Sequence, residues 1–171
     1  MIRHTVASVA MMAVLGGATT SSLMGMELKN ETLTTSKVYK TTRSAVTKTL
    51  DKMGVKYNID KDGDIHFRFG KGNYKGLILF NESSGRIWNL QVVSTFGMKK
   101  SHYDEALAYV NKWNQEKRIP KLSMWEKDKL LSEYNYPVQY GFNPDEFETN
   151  VYNLYVTAMK QILDEIDAMR E

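Results

Sequence analysis

The stretch EALAYVNKWNQEKRIP, from Glu105 to Pro120, separates two halves of the chain that differ in their residue pattern. It contains the end of an amphipathic helix, the motif Asn111-x-Trp113-Asn114, a basic residue at Arg118 and a proline that ends the helix. Alternating strand patterns precede the stretch, and a strand pair with a long helical pattern follows it. The stretch is therefore predicted to join the two halves of one α+β domain.

Four strands are predicted before this stretch because apolar and polar residues alternate there with a period of two. The segments are residues 55–59, 65–69, 74–80 and 86–95, and the turns between them are short. Short connections favour an antiparallel meander. One side of these strands is apolar and the other is mixed, which is typical of a sheet with helices packed on one face.

Two helices are predicted from apolar residues at helical spacing. The first covers residues 36–53 and ends at Gly54, because glycine tolerates the left-handed backbone found just beyond a helix C-terminus. The second begins at a capping box formed by Ser101 and Asp104. It ends before Pro120, since the residue before a proline avoids the α-helical region.

A hairpin and a third helix are predicted in the second half of the domain. The hairpin strands are residues 122–126 and 130–138, and the helix starts with Asn143 as its cap and Pro144 at its first position. The apolar residues predicted to line one side of this helix are Phe147, Val151, Leu154, Tyr155, Ala158, Ile162, Ile166 and Met169. The predicted order is α-β4-α-β2-α, an α+β fold with an antiparallel sheet and helices mainly on one face.

Residues 1–25 have the pattern of an export signal. A basic start at Arg3 precedes an apolar run from Val6 to Leu15, and small residues follow it. Cleavage after Ala18 is predicted, and cleavage after Gly25 is the alternative. The apolar run is shorter than the roughly 20 residues that span a bilayer. A periplasmic or secreted location with no integral membrane span in the mature chain is therefore predicted.

Length and composition limit the remaining classes. The 171 residues allow a signal peptide at residues 1–25, a flexible lead-in at residues 26–34 and one domain at residues 35–171. The formal charge of +3 is small and its signs are interspersed, unlike the basic stripe of a nucleic-acid-binding domain. Cysteine is absent, which excludes disulfides and thiolate metal sites. No nucleic-acid partner, no metal and no cofactor are predicted.

Two segments look like ligand loops but lack the spacing that such loops need. The alternating aspartates of Asp60–Asp64 resemble a calcium loop, yet Ile65 and Lys71 stand where that loop has its glycine and its glutamate. The glycine-rich segment Gly70–Gly76 joins two strands and fits neither common phosphate-binding pattern. The histidines form no metal-ligand pair, and no serine lies in a nucleophile elbow. A non-enzymatic protein is predicted.

The central motif and the order of elements resemble the YbjN-domain family of bacterial sensory transduction regulators. The resemblance covers residues 35–170, and its matching positions are Asn111, Trp113, Asn114, Arg118, Pro120, Leu131, Glu133 and Gly141. Asn135 stands where the family pattern has an aspartate. Members are similar in fold to type III secretion chaperones, which are small dimeric binders of other proteins. The resemblance therefore implies that fold and a binding role, with no catalytic residues to transfer.

Two surfaces are predicted to bind a partner. The first is the outer face of the sheet, since a partly apolar exposed face is often an interaction surface. The residues assigned to it are His66, Arg68, Ile78, Phe80, Ile87, Asn89, Gln91 and Val93. The second is a strand edge beside Tyr134, Tyr136 and Tyr140, which would accept an added strand or a second copy of the chain. In the alternative, these aromatics lie under the last helix.

Asn111 and Asn114 have two interpretations: they satisfy backbone groups at the helix end and the next strand, or they present a polar notch to a ligand. The motif of Asn111, Trp113, Asn114, Arg118 and Pro120 is interpreted as structural. The predicted function is a non-enzymatic exported domain that binds a protein or peptide, with a homodimer as one arrangement. The second hypothesis is a sensor for a small molecule or lipid, with a pocket between sheet and helices.

Overall fold

A computed structural model describes residues 37–171 of the chain. The predicted signal peptide, its cleavage position and the lead-in at residues 26–34 lie outside the described residues. The described part contains one six-stranded antiparallel sheet and a set of helices in the order α-β4-α-β2-α. The α+β fold predicted from the sequence is confirmed.

The sheet is built from two blocks of strands. The strands are β1 (Tyr57–Ile59), β2 (Ile65–Phe69), β3 (Tyr74–Ser83), β4 (Arg86–Gly97), β5 (Lys121–Glu126) and β6 (Lys129–Pro137). Their spatial order is β1-β2-β3-β4-β6-β5, and every neighbouring pair is antiparallel. The second hairpin therefore joins the meander through β6, which leaves β1 and β5 as the two edges.

The helices differ from the sequence prediction mainly in their boundaries. They are α1 (Arg43–Lys52), α2 (Tyr103–Glu116) and a continuous helical stretch that ends the domain. That stretch contains α3 (Pro144–Glu146), a π-helical segment (Phe147–Asn153), α4 (Leu154–Ile166) and a 3₁₀ turn (Asp167–Met169). Asn143 caps its start as predicted, since the side chain accepts hydrogen bonds from the N–H groups of Asp145 and Glu146.

The start predicted for α1 at residue 36 is wrong. The Thr42 hydroxyl caps the helix by accepting a hydrogen bond from the N–H of Ala45 at 3.0 Å. Before that cap the chain is extended, and Tyr39 exchanges two backbone hydrogen bonds of 2.8 Å with Phe142. The apolar residue Val38 fitted the helical period by chance, because it lies in the extended segment and is 62% exposed.

The capping box predicted for α2 does not form. Ser101 lies inside a 3₁₀ turn (Lys100–His102). Its hydroxyl contacts Nδ1 of His102 at 3.1 Å and does not cap a backbone N–H of the helix. The N-cap residue of α2 is His102, whose side chain makes no capping bond. The end of α2 at Glu116 agrees with the predicted stop before Pro120.

The long helical stretch packs on one face of the sheet. The ring centres of Phe67 and Tyr152 are 5.4 Å apart, and those of Phe69 and Tyr155 are 6.3 Å apart. The hydroxyl of Ser132, on β6, contacts the hydroxyl of Tyr155 at 3.2 Å. These contacts join β2 and β6 to the same helical stretch.

The other two helices pack on the same face. The Arg43 guanidinium of α1 lies 4.9 Å from the centre of the Phe80 ring. The Tyr109 phenol of α2 lies beside Glu165 of α4; burial, assisted by that carboxylate, raises the pKa of Tyr109. The helices thus form one layer, and the prediction that they pack mainly on one face is confirmed. We call this side the covered face and the opposite side the open face.

Candidate functional site

The strand register defines which side chains share the open face. In one row across the sheet, His66 pairs with Leu77, Leu77 with Val93 and Val93 with Glu133. Directly paired residues of antiparallel strands point to the same side, and residues two apart in a strand do the same. The next row is Leu79, Gln91 and Asn135.

An apolar strip runs across the middle of the open face. It consists of Leu77, Leu79, Val93 and Leu131, all of them half-buried. Their partial exposure arises because they cover one another while no described helix lies over them. A contiguous apolar strip with a polar border is the usual composition of a protein-binding surface.

The assignment of Ile78 and Phe80 to the open face is wrong. Ile78 is 0% exposed and Phe80 is 8% exposed, and both belong to the core on the covered face. Ile78 pairs directly with Ile65, which is also fully buried. The centre of β3 is continuously apolar, so its own sequence carries no alternation that could distinguish the two faces.

The predicted residues other than Ile78, Phe80 and Ile87 lie on the open face but have different surroundings. His66 and Arg68 are exposed, whereas Gln91 and Val93 are half-buried in the middle of the face. The assignment of Ile87 to the open face is also wrong. The register shift in β4 pairs Ile87 with Glu82, which bonds to Arg43 of α1 on the covered face, and Ile87 packs against the core. Leu77, Leu79 and Glu133 were missed as site residues, although the regular alternation of β2 together with the hairpin register could have identified them.

Asn89 is an unusual member of the open face because it is only 3% exposed. Its Nδ2 donates a hydrogen bond of 2.8 Å to Oδ1 of Asn135, and the amide of Asn135 donates in turn to the Glu133 carboxylate. An aspartate at position 135 could accept from Asn89 but could not donate to Glu133. Asn135 therefore links Asn89 of β4 to Glu133 of β6.

The strand edge predicted beside the tyrosines does not exist, since β6 pairs with β4 on one side and β5 on the other. The Tyr134 hydroxyl donates to the carbonyl of Asn150 at 3.2 Å, and the Tyr136 ring lies 6.5 Å from Phe147. Burial, together with the Glu146 carboxylate, raises the pKa of Tyr136 to about 12. Tyr134 and Tyr136 thus lie under the last helical stretch, while Tyr140 is 93% exposed.

The true edge strand, β5, is closed by residues of the central motif. The Trp113 indole N–H donates to the carbonyl of Pro120 at 2.8 Å. The Asn114 amide both donates to and accepts from the backbone of Leu122. A register shift between Met124 and Glu126 further disrupts this edge, which is a common way to prevent strand addition. Trp113 is buried, whereas Asn111 and Arg118 are exposed on the surface.

The space between sheet and helices is filled by side chains. Tyr155, Met159 and Ser132 are each 0% exposed, and the Ser132 hydroxyl contacts both of the others. Three grooves that border described residues lie at the surface and measure about 710, 550 and 380 Å³. Within residues 37–171, no cluster of three or more acidic or histidine side chains is arranged to hold a metal ion.

No helix within residues 37–171 has the length and apolar character needed to cross a membrane.

Comparison with known proteins gives a family match and similar solved structures. The family model described as "YbjN: Putative bacterial sensory transduction regulator" matches residues 42–168. Among solved structures, the chain is similar to the E. coli protein described as "YbjN, a putative transcription regulator", with a TM-score of 0.60 and 14% sequence identity. That similarity covers 77% of this chain and 95% of the E. coli chain, and at this identity it shows the fold alone. No curated protein matches the sequence.

Proposed function

The chain belongs to the YbjN family, and from this premise we propose that it is a non-enzymatic domain that binds a protein or peptide partner through the open face of its sheet. The family is described as regulatory, and a regulatory domain acts by binding. The observation that carries the proposal is the apolar strip of Leu77, Leu79, Val93 and Leu131 on a face that none of the described helices covers.

The edges of the sheet favour binding through the face over binding by strand addition. β1 contains three residues, which is short for an added strand to pair with. β5 is longer, but Asn114 occupies the backbone groups of Leu122 and a bulge follows at Trp125. Both edges therefore offer little backbone for strand addition, and the open face is the surface that we propose for the partner.

The pattern of residues 1–25 supports an exported form of this domain. We propose that the mature protein acts in the periplasm or outside the cell, where it would meet its partner. Mass spectrometry of the protein from the envelope fraction of the producing bacterium tests this location. A mature N-terminus after Ala18 or Gly25 agrees with it, and an intact N-terminus in the cytoplasm contradicts it.

Site-specific photo-crosslinking tests the binding face. In one variant, a photoreactive phenylalanine replaces Gln91 in the centre of the open face. In the matched control, the same photoreactive residue replaces Lys160 on α4. Protein adducts from position 91, with none from position 160, are expected in living cells. Adducts from position 160 alone, or from neither position, would contradict the proposal.

Native mass spectrometry separates the proposal from the second hypothesis of a small-molecule or lipid sensor. A co-purified small molecule, retained when the open face is altered by Val93→Lys, would favour the sensor. A homodimer that Val93→Lys dissociates would instead identify a second copy as the partner.

A further inference from the structure

We propose that the partner meets the open face with an acidic segment, which a cluster of Lys56, Arg68 and Lys75 recognises; this inference rests on the proposed function. We call these three residues the basic corner. They lie at the β1–β3 end of the sheet and line one groove of about 380 Å³. None of them is used in the core or in the closed edges described above.

The register places the basic corner on the open face. Arg68 alternates with the buried residues Phe67 and Phe69, so its side chain points away from the core. Arg68 pairs directly with Lys75 across β2 and β3. Lys56 precedes β1 and borders the same groove from the other side. Two cations thus face each other across a strand pair, and a third closes the groove.

This arrangement costs energy in the absence of a partner. Like charges directly opposite each other destabilise an antiparallel pair. In the part of the chain that the structure describes, no carboxylate forms an ion pair with any residue of the basic corner. The acidic residues that precede β2 do not compensate. The Asp60 carboxylate is bound to Nε2 of His66 at 2.9 Å, and the Asp64 carboxylate accepts a hydrogen bond from the N–H of Phe80 at 3.1 Å. An external anion would remove the repulsion.

The chemistry of the corner matches a carboxylate. Arg68 donates one hydrogen bond of 3.0 Å to the carbonyl of Asn73, which orients the guanidinium and leaves other N–H donors available. A guanidinium binds a carboxylate through two parallel hydrogen bonds, and the two lysines add mobile positive charge. The groove of about 380 Å³ has room for acidic side chains.

The basic corner is continuous with the apolar strip. Lys75 is two residues before Leu77 on the same side of β3, and Leu77 pairs with Val93. A segment that crosses the strands from β1 towards β6 therefore meets the cations first and the apolar strip next. The expected partner segment carries acidic residues at one end and apolar residues after them. Electrostatic attraction at the corner would speed its association and fix its direction.

Fluorescence anisotropy with a defined probe tests this inference on the full mature chain. The probe is a fluorescein-labelled peptide in which four glutamates precede alternating serines and leucines, and a second peptide has lysines in place of the glutamates. The triple variant Lys56→Glu, Arg68→Glu and Lys75→Glu reverses the corner. The matched control reverses three exposed lysines on the helices, with Lys48→Glu, Lys112→Glu and Lys160→Glu. Both variants change the net charge equally.

We expect the native chain to bind the glutamate peptide more tightly at low salt than at high salt. Reversal of the corner should weaken this binding at least about tenfold and create binding of the lysine peptide. The control should change either affinity by less than about threefold. Equal losses in both triple variants, or no binding of the glutamate peptide by the native chain, would overturn the inference. Displacement of the peptide by inorganic phosphate at similar concentration would also overturn it, since the site would then be one for free anions.

A third variant, Val93→Ser, keeps this inference separable from the proposed function. If peptide binding or crosslinking at position 91 depends on Val93 but not on the corner, the acidic segment is wrong and the open face remains the binding surface. If binding and crosslinking depend on neither Val93 nor the basic corner, both this inference and the proposed function are wrong. Circular dichroism and the melting temperature of each variant establish that the fold is retained.

Discussion

The side-chain amide of Asn114 takes the place of a neighbouring strand beside Leu122. Its Nδ2 donates to the Leu122 carbonyl at 2.8 Å, and its Oδ1 accepts from the Leu122 N–H at 3.0 Å. One side chain at the end of α2 therefore satisfies both outward-facing backbone groups of an edge-strand residue. This contact fixes the helix to the sheet and closes the edge at the same time.

Replacing Asn114 by alanine should destabilise the domain by about 1–2 kcal/mol, because two backbone groups lose partners that water restores only in part. The melting temperature should fall by roughly 3–6 °C for a domain of this size. Asn111→Ala is the matched control, since it removes the same amide from an exposed position one turn earlier. A normal melt of Asn114→Ala together with lost partner binding would show instead that Asn114 is a ligand residue.

The π-helical segment shifts the buried side of the last helical stretch, which leads to a second prediction. Phe147, Val151, Tyr155 and Met159 are fully buried at a spacing of four residues, whereas Leu154 is 42% exposed. A regular helix of 3.6 residues per turn would bring Leu154 towards the core. The looser π turn keeps every fourth residue on the covered face and turns Leu154 outward.

Val151→Ala should therefore cost about 2 kcal/mol through lost packing, and Leu154→Ala should cost less than about 0.5 kcal/mol. Urea unfolding of the two variants measures this difference. Similar costs for both substitutions would mean that the segment is a regular α-helix in solution.

The sequence predicted the elements of this fold better than their boundaries. Alternation in β2 and helical spacing in α2 are local signals, and both elements were found. The start of α1 was not, because Val38 fits a helical period while the extended backbone is held by Phe142, about a hundred residues away. The exposure of Leu154 was also missed, since the π turn depends on packing against the sheet.

The sequence predicted a binding face on the sheet but identified only some of its residues. The resemblance and the mixed face of the strands indicated a binding sheet, yet Ile78 and Phe80 were assigned to the wrong side. Their face follows from pairing with β2, which local alternation in β3 cannot reveal. The pairing of Arg68 with Lys75 likewise appears only when the hairpin register is known.

Asp60 gives a prediction at acidic pH. Its hydrogen bond with His66, supported by the backbone N–H groups of Asp64 and Asp62, lowers the pKa of the Asp60 carboxyl below 3.8. A folded pKa below the unfolded value favours the ionised form in the folded state. This contribution to stability is therefore complete above about pH 4 and is lost as the pH falls through the folded pKa.

Asp60→Asn should be less stable than the native chain near pH 5, and the gap should close as the pH falls towards about 2. The asparagine keeps the Oδ1 acceptor of the turn. The difference in stability between the two proteins therefore measures the effect of the negative charge on Asp60. Asp62→Asn is the control, because it removes a carboxylate from the same turn without contact to His66. Thermal melts across this range measure the gap, and a gap that is constant with pH would contradict the role of the His66 contact.

Tyr155 gives the opposite prediction at alkaline pH. Burial raises the pKa of its phenol to about 12, while the hydrogen bond with Ser132 acts in the other direction. The folded state therefore prefers the neutral phenol, and the unfolded chain ionises first, near pH 10. The stability that this group contributes is present below pH 10 and is lost as the pH rises from 10 to 12.

Tyr155→Phe should thus cost about 1 kcal/mol near pH 7, because Ser132 loses a hydrogen-bond partner in the core. Above pH 10 the native chain should lose up to about 2–3 kcal/mol that the variant retains, since each pKa unit corresponds to about 1.4 kcal/mol. The variant should consequently become the more stable protein before pH 12. Urea unfolding at a series of alkaline pH values measures the crossing, with Tyr140→Phe, at a position 93% exposed, as the control. If the native and Tyr155→Phe curves stay parallel up to pH 12, the phenol ionises equally well in the folded chain and water must reach it inside the core.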